Sequence, residues 1–165
     1  MSRNASPLLD VRGLDVMVAG ESGLAHVVKR LELAISRGET FALVGESGCG
    51  KSMTALALLR LLPDAARIVA GQINLDDKDL NRLPESAMRA VRGGSIGIIF
   101  QEPSSSLNPV MRVGEQIMET LRAHTALRGA AARARAIDWL RRVGIPEPER
   151  RAEAFRPELL AVDCA

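Results

Sequence analysis

The feature that most restricts this chain is an eight-residue stretch, GESGCGKS from Gly45 to Ser52, set between TFALV (Thr40 to Val44) and KSMTALALLRLL (Lys51 to Leu62). TFALV is a short unbroken apolar run, the pattern of a strand buried on both faces. The run after it is rich in Ala and Leu, with no interior Gly or Pro before Pro63, and predicts a helix over 51–62. Glycines between a strand and a helix let the backbone wrap closely around an anion. The N–H groups then converge at a helix N-terminus whose dipole favours negative charge. The stretch fits G-x-x-x-x-G-K-[ST] in the context that makes the pattern a phosphate-binding expectation. Gly45, Ser47, Gly48, Cys49, Gly50, Lys51, Ser52 and Met53 are the candidate phosphate contacts. Lys51 is expected to bridge the β- and γ-phosphates of a nucleotide, and the Ser52 hydroxyl to ligate Mg²⁺. Cys49, beside Lys51, is expected to react with alkylating agents and to be protected by bound nucleotide.

The rest of the chain is read around this loop. Leu8 to Val18 and His26 to Ile35 alternate partially and flank AGESG, predicting two antiparallel strands. Ile68 to Leu75 reads as a further strand, DDKD as a polar turn, and Pro84 as the start of a short helix ending before Gly93 and Gly94. SIGIIF, from Ser95 to Phe100, reads as a second buried strand, and QEPSSSLNPV after it as a loop. Val113, Ile117 and Leu121, then Ala132, Ala136, Leu140 and Val143, keep helical spacing and predict two amphipathic helices, the second capped at Gly144.

Bulk composition narrows the function classes. The 22 Lys and Arg against 20 Asp and Glu leave a formal charge of +2, too little for long-range attraction to nucleic acid. Aromatic residues make up 2% of the chain, which argues against a base-stacking surface. Ala55 to Val69 is interrupted by Arg60, Pro63, Asp64 and Arg67, so no membrane span is expected, and the N-terminal residues do not resemble a secretory signal. Cys49 and Cys164 match no metal-ligand spacing. His26 and His124 read as ordinary surface or packing residues.

Two segments in register, RGETFALVGESGCGKSMTALALLRLLP and MRAVRGGSIGIIFQEPSSSLNPVMRVGEQI, resemble the ATP-binding subunits of ABC importers. Within them the likeness is to the oligopeptide, dipeptide and glutathione branch, and it runs from about Leu8 to about Leu159. The resemblance implies an α/β P-loop NTPase fold, an incomplete ABC ATPase core with an antiparallel β preamble and a partial helical subdomain. It divides the chain into preamble and P-loop strand over 8–44, P-loop and helix over 45–62, core over 63–109, helical subdomain over 110–155 and a divergent tail over 156–165. It implies ATP and Mg²⁺ as cofactors, and Gln101 as the Q-loop glutamine near Mg²⁺ and the attacking water. The implied partners are transmembrane permease subunits, faced by Ser106 to Val110, and a second nucleotide-binding domain. An extracytoplasmic substrate-binding protein would act indirectly, and the location would be the cytoplasmic face of the inner membrane.

The sequence departs from this pattern in places. Around Val18, where relatives stack the adenine on an aromatic, there is none, and Met53 stands where many carry a hydroxyl. FRPELLAVDCA begins like the approach to the LSGGQ signature and then diverges. Neither the signature, the acidic strand with the catalytic Glu, nor the switch histidine is found; Asp163 followed by Cys164 is a poor substitute. The expectation is a truncation just before the signature, no hydrolysis by these residues alone, and sheet edges and apolar faces left uncovered. Two alternatives stand beside this reading. A small P-loop kinase would place its phosphate loop nearer the N-terminus than 44 residues in, and a non-functional fragment would merely bind a partner or nothing.

Overall fold

Val11, Leu14 and Val16 can share one side of a strand only if the chain slips phase once between Val11 and Leu14. The computed structural model, which describes residues 6–21, 23–100 and 106–155, contains that slip. Strand β1 (Leu9–Gly20) pairs antiparallel with β2 (Gly23–Ile35), from Leu9↔Ile35 to Gly20↔Gly23, with a register shift between Val11 and Leu14. Gly13 takes φ 57 at the shift, and its N–H donates to Glu32 Oε1 at 2.8 Å. As a result Val11, Leu14 and Val16 are all buried.

Strand β3 (Ala66–Leu75) pairs antiparallel with the other side of β1. A tight turn through Asp76 and Asp77, with φ of 51 and 63, leads into the two-residue strand β4 (Lys78–Asp79). The sheet order is β2-β1-β3-β4. A side chain at Gly71 (φ 98) would place its Cβ 2.5 Å from both Gly13 O and Leu14 Cα, so β3 passes the slip only as glycine. Leu14, Val16, Ile73 and Leu80 are completely buried.

Helix α1 (Lys51–Leu58) starts where the sequence predicts but stops four residues short of Leu62. Arg60 adopts φ 53, its N–H donates to Ala57 O at 3.0 Å, and that of Leu61 donates to Leu56 O at 2.9 Å. This is a Schellman ending, and it turns the chain before Pro63 is reached. The Arg60 guanidinium donates to Leu80 O at 3.3 Å and Leu83 O at 2.6 Å, which ties the helix end to the turn after β4.

Two predicted strands are not formed. Thr40 to Val44 and Ser95 to Phe100 belong to no ladder among the described residues, apart from an isolated bridge of Arg92 with Ile96. A strand needs a hydrogen-bonded neighbour. Without one these apolar runs are exposed, Val44 at 88% and Ile99 at 90%.

The chain divides into two compact units, one up to Arg89 and one from Ala90 onward. The division falls within helix α2 (Glu85–Gly94), whose regular dihedrals break at Arg92 and Gly93. The second unit carries α3 (Val113–His124), α4 (Gly129–Arg142) and α5 (Pro148–Glu153), the last not predicted from the sequence. Helix α4 ends at Arg142 with Val143 as its cap, one residue before the Gly144 expected there; Gly144 follows in a left-handed conformation, φ 83, and Ile145 N–H donates to Leu140 O at 3.0 Å. Val113, Ile137, Leu140 and Ala152 form the core, with Ile117 and Ile145 packed against it. No helix among the described residues is long and apolar enough to cross a membrane.

Candidate functional site: the glycine loop before α1

Gly48 and Gly50 take φ of 84 and 92, left-handed conformations that cost a side-chain-bearing residue about 1–2 kcal/mol. Together they turn the chain from the Thr40–Val44 segment into α1, with a bond from Cys49 N–H to Glu46 O at 3.3 Å bracing the bend. The first helical bond of α1 runs from Thr54 N–H to Gly50 O at 2.8 Å. The N–H groups of Lys51, Ser52 and Met53 therefore have no intrahelical acceptor.

Gly50 is the buried residue of the loop, whereas Gly45 to Cys49 and Ser52 are exposed. A Cβ on Gly50 would lie 2.4 Å from Val27 O and 3.3 Å from Val28 Cγ2, so the start of α1 rests directly on β2. Buried Thr54 fixes the same carbonyl from the helix side, its hydroxyl donating to Gly50 O at 3.0 Å. At the other end of the loop a Cβ on Gly45 would meet Cys49 Sγ at 2.6 Å. Each of these glycines is fixed by a close neighbour or by its dihedral angle.

Lys51 folds back over the loop. Its ammonium donates to Gly45 O and Glu46 O, both at 2.7 Å, and lies 3.4 Å from Cys49 Sγ. Among the described residues it forms no ion pair. The loop residues singled out in the sequence are thus contiguous here, with the Lys51 ammonium against the carbonyls of Gly45 and Glu46. Leu43, Val44, Val27, Val28 and Lys51 border an adjoining pocket of 320 Å³. Gln101, predicted to complete the site, lies outside the described residues.

Residues 28–159 match the ABC transporter family. The chain belongs to that family. Among curated ABC relatives, the peptidoglycan transport ATP-binding protein YejF of Agrobacterium fabrum is 48% identical over 157 residues, which are 94% of this chain and 29% of that protein. The oligopeptide transport ATP-binding protein OppD of Bacillus subtilis is 42% identical, with 92% of this chain and 42% of that protein covered. The dipeptide transport ATP-binding protein DppD of the same organism is 40% identical, with 90% and 44% covered. The chain thus spans less than half the length of these relatives. Among solved structures, the dimeric ATP-binding cassette MJ0796 bound to ADP and Pi superposes with a TM-score of 0.74 at 23% identity, covering 89% of this chain and 61% of that one. That likeness establishes an ABC ATPase cassette fold, of which these residues span 61%. The family match places the chain here rather than among small kinases.

Two organising residues are not evident from motif reading. Thr54 sits inside an Ala- and Leu-rich helix, and nothing in its sequence neighbourhood marks it as the clamp on Gly50. Gln116 shapes the Ser106–Val110 turn: its Oε1 accepts from Asn108 N–H at 2.9 Å, and its Nε2 donates to Asn108 O at 3.1 Å and Met111 O at 3.0 Å. That turn leaves Val110 79% exposed. A glutamine one turn into a helix that follows an Asn-Pro step is the only signal the sequence offers for it.

Proposed function

We propose that this chain is the nucleotide-binding part of an ABC-type ATPase serving peptide import, and that Gly45 to Ser52 hold the phosphates of Mg-ATP. The observation that carries this reading is the loop itself. Left-handed Gly48 and Gly50 lead into a helix N-terminus, and among the described residues Lys51 is held by two backbone carbonyl oxygens and a thiol. A triphosphate offers that ammonium a stronger, fully charged partner. The loop is open at Gly48, where an added Cβ meets no atom within 4 Å. Polyanion, helix dipole and free first-turn amides are therefore complementary.

In this reading the amides of Ser47 to Met53 receive phosphate oxygens, Lys51 swings from Gly45 and Glu46 to the β- and γ-phosphates, and exposed Ser52 offers its hydroxyl to Mg²⁺. The magnesium ion would neutralise phosphate charge. Gln101 would complete its surroundings and couple the nucleotide to the permease. The Gln116-braced turn at Ser106 to Val110 would face the transmembrane subunits, and a second nucleotide-binding domain would close on the loop at the cytoplasmic face of the membrane. The substrate class is carried by relatives named for oligopeptide, dipeptide and peptidoglycan transport. Turnover would need a signature, an acidic strand and a switch histidine, which these 165 residues do not contain.

Competition tests the reading. Because the loop engages phosphates, and the region of Val18 offers no aromatic to the base, inorganic triphosphate should displace a fluorescent ATP analogue and adenosine should not. Displacement by adenosine with none by triphosphate would overturn it.

A further inference from the structure

Helix α1 is entered through Gly50, at φ 92 and ψ 2, and no side chain caps it. The loop before it is exposed from Gly45 to Cys49. The junction is held from inside, by Thr54, one turn into the helix and the one polar side chain in the buried set among the described residues. Its backbone N–H donates to Gly50 O at 2.8 Å, and its hydroxyl donates to the same oxygen at 3.0 Å. One residue thus occupies both lone pairs of that carbonyl.

Helix preference does not explain a threonine here. A β-branched residue is a poorer helix former than the Ala55, Leu56, Ala57 and Leu58 that follow it, and a buried hydroxyl costs free energy unless it is hydrogen-bonded. A threonine bonding back to the carbonyl four residues earlier is common within helices, where that carbonyl belongs to a turn already fixed. In this case the carbonyl belongs to the N-cap, and the chain before it is the open loop.

Gly50 C=O and Lys51 N–H lie in one planar trans peptide unit and point in opposite directions. Holding Gly50 O against Thr54 therefore aims Lys51 N–H back along the helix axis, on the side of the loop, and that amide has no intrahelical acceptor. Glycine resists rotation of this unit less than any other residue, because positive and negative φ are both open to it. Val27 O and Val28 Cγ2 back the glycine from β2, at 2.4 and 3.3 Å from where its Cβ would stand. The Thr54 hydroxyl adds the restraint on rotation.

We infer that Thr54 is a positioning residue of the phosphate loop, its hydroxyl holding the Gly50–Lys51 peptide with the Lys51 N–H turned toward a bound phosphate. The inference rests on the reading of Gly45 to Ser52 as a triphosphate site. Thr54 acts on the ligand only through Gly50 and Lys51.

The test titrates inorganic triphosphate into the chain and follows the Lys51 amide resonance by NMR. Thr54→Val keeps the side-chain shape and removes the hydroxyl. Thr54→Ala removes it while raising helix propensity, and Thr54→Ser keeps it without the methyl group. Both variants that lack the hydroxyl should bind triphosphate about fivefold more weakly, the effect of one hydrogen bond, and Thr54→Ser should bind like the parent. A role in stability alone would make affinity follow the unfolding midpoint across the three variants, whereas this role makes it follow the hydroxyl. Parent-like affinity in Thr54→Val and Thr54→Ala, or an equal loss in Thr54→Ser, would overturn the inference and leave the phosphate site standing. No binding by the folded parent would overturn the phosphate reading and this inference with it.

Discussion

Gly50 lies so close to Val27 that a single added carbon would come within 2.4 Å of the Val27 carbonyl oxygen. The helix that carries Lys51 and Ser52 is therefore positioned by backbone contact with β2. Gly48 has an equally unusual dihedral but open space around it. The two glycines separate a steric requirement from a conformational one.

Gly50→Ala should lower stability by about 2 kcal/mol, since strain and clash act together, and should abolish nucleotide binding. Gly48→Ala should cost about 1 kcal/mol through its backbone alone and leave weakened binding. Urea midpoints of the two variants check this, and equal losses would contradict it.

Glu153 joins the helices of the second unit, accepting from Arg133 at 2.7 Å and Arg112 at 2.5 Å. The hydrogen bond from Arg133, reinforced by Arg112 and opposed by desolvation, lowers the Glu153 pKa below its ordinary 4.5. The unfolded chain then binds the proton more tightly than the folded one, so this contribution is present above pH 4.5 and is lost as pH falls through the folded value. Glu153→Gln should lower the unfolding temperature at neutral pH and flatten its decline in acid. A variant with the parent's acid profile would contradict this.

Cys49 is exposed and unpaired by disulfide, with its sulfur beside the Lys51 ammonium. N-ethylmaleimide should modify it, and Mg-ATP at ten times its dissociation constant should slow that reaction about tenfold at the Cys49 peptide. Equal modification with and without nucleotide would contradict a phosphate site at the loop.

The glycine loop, the β1–β2 hairpin, the apolar stripe of α3 and the stop of α4 near Gly144 are legible in the sequence because each is decided within a few neighbouring residues. Gly144 stops a helix wherever it follows such a pattern, and the spacing of Val11, Leu14 and Val16 already contains the phase slip at Gly13. TFALV and SIGIIF read as strands because their composition suits burial, yet a strand exists only with a partner, which lies beyond local pattern. Helix α5 escapes notice because six residues, PERRAE, carry no periodicity. The early end of α1 depends on Arg60 in a glycine-like conformation, held by carbonyl groups at Leu80 and Leu83 far along the chain.

The most direct measurement is a calorimetric titration of the folded chain with ATP, with and without Mg²⁺, beside Lys51→Ala. The account predicts saturable, magnesium-dependent binding in the parent, and its loss in a variant whose stability stays within about 1 kcal/mol of the parent's. Binding of equal strength in both proteins, or none in a folded parent, would contradict it.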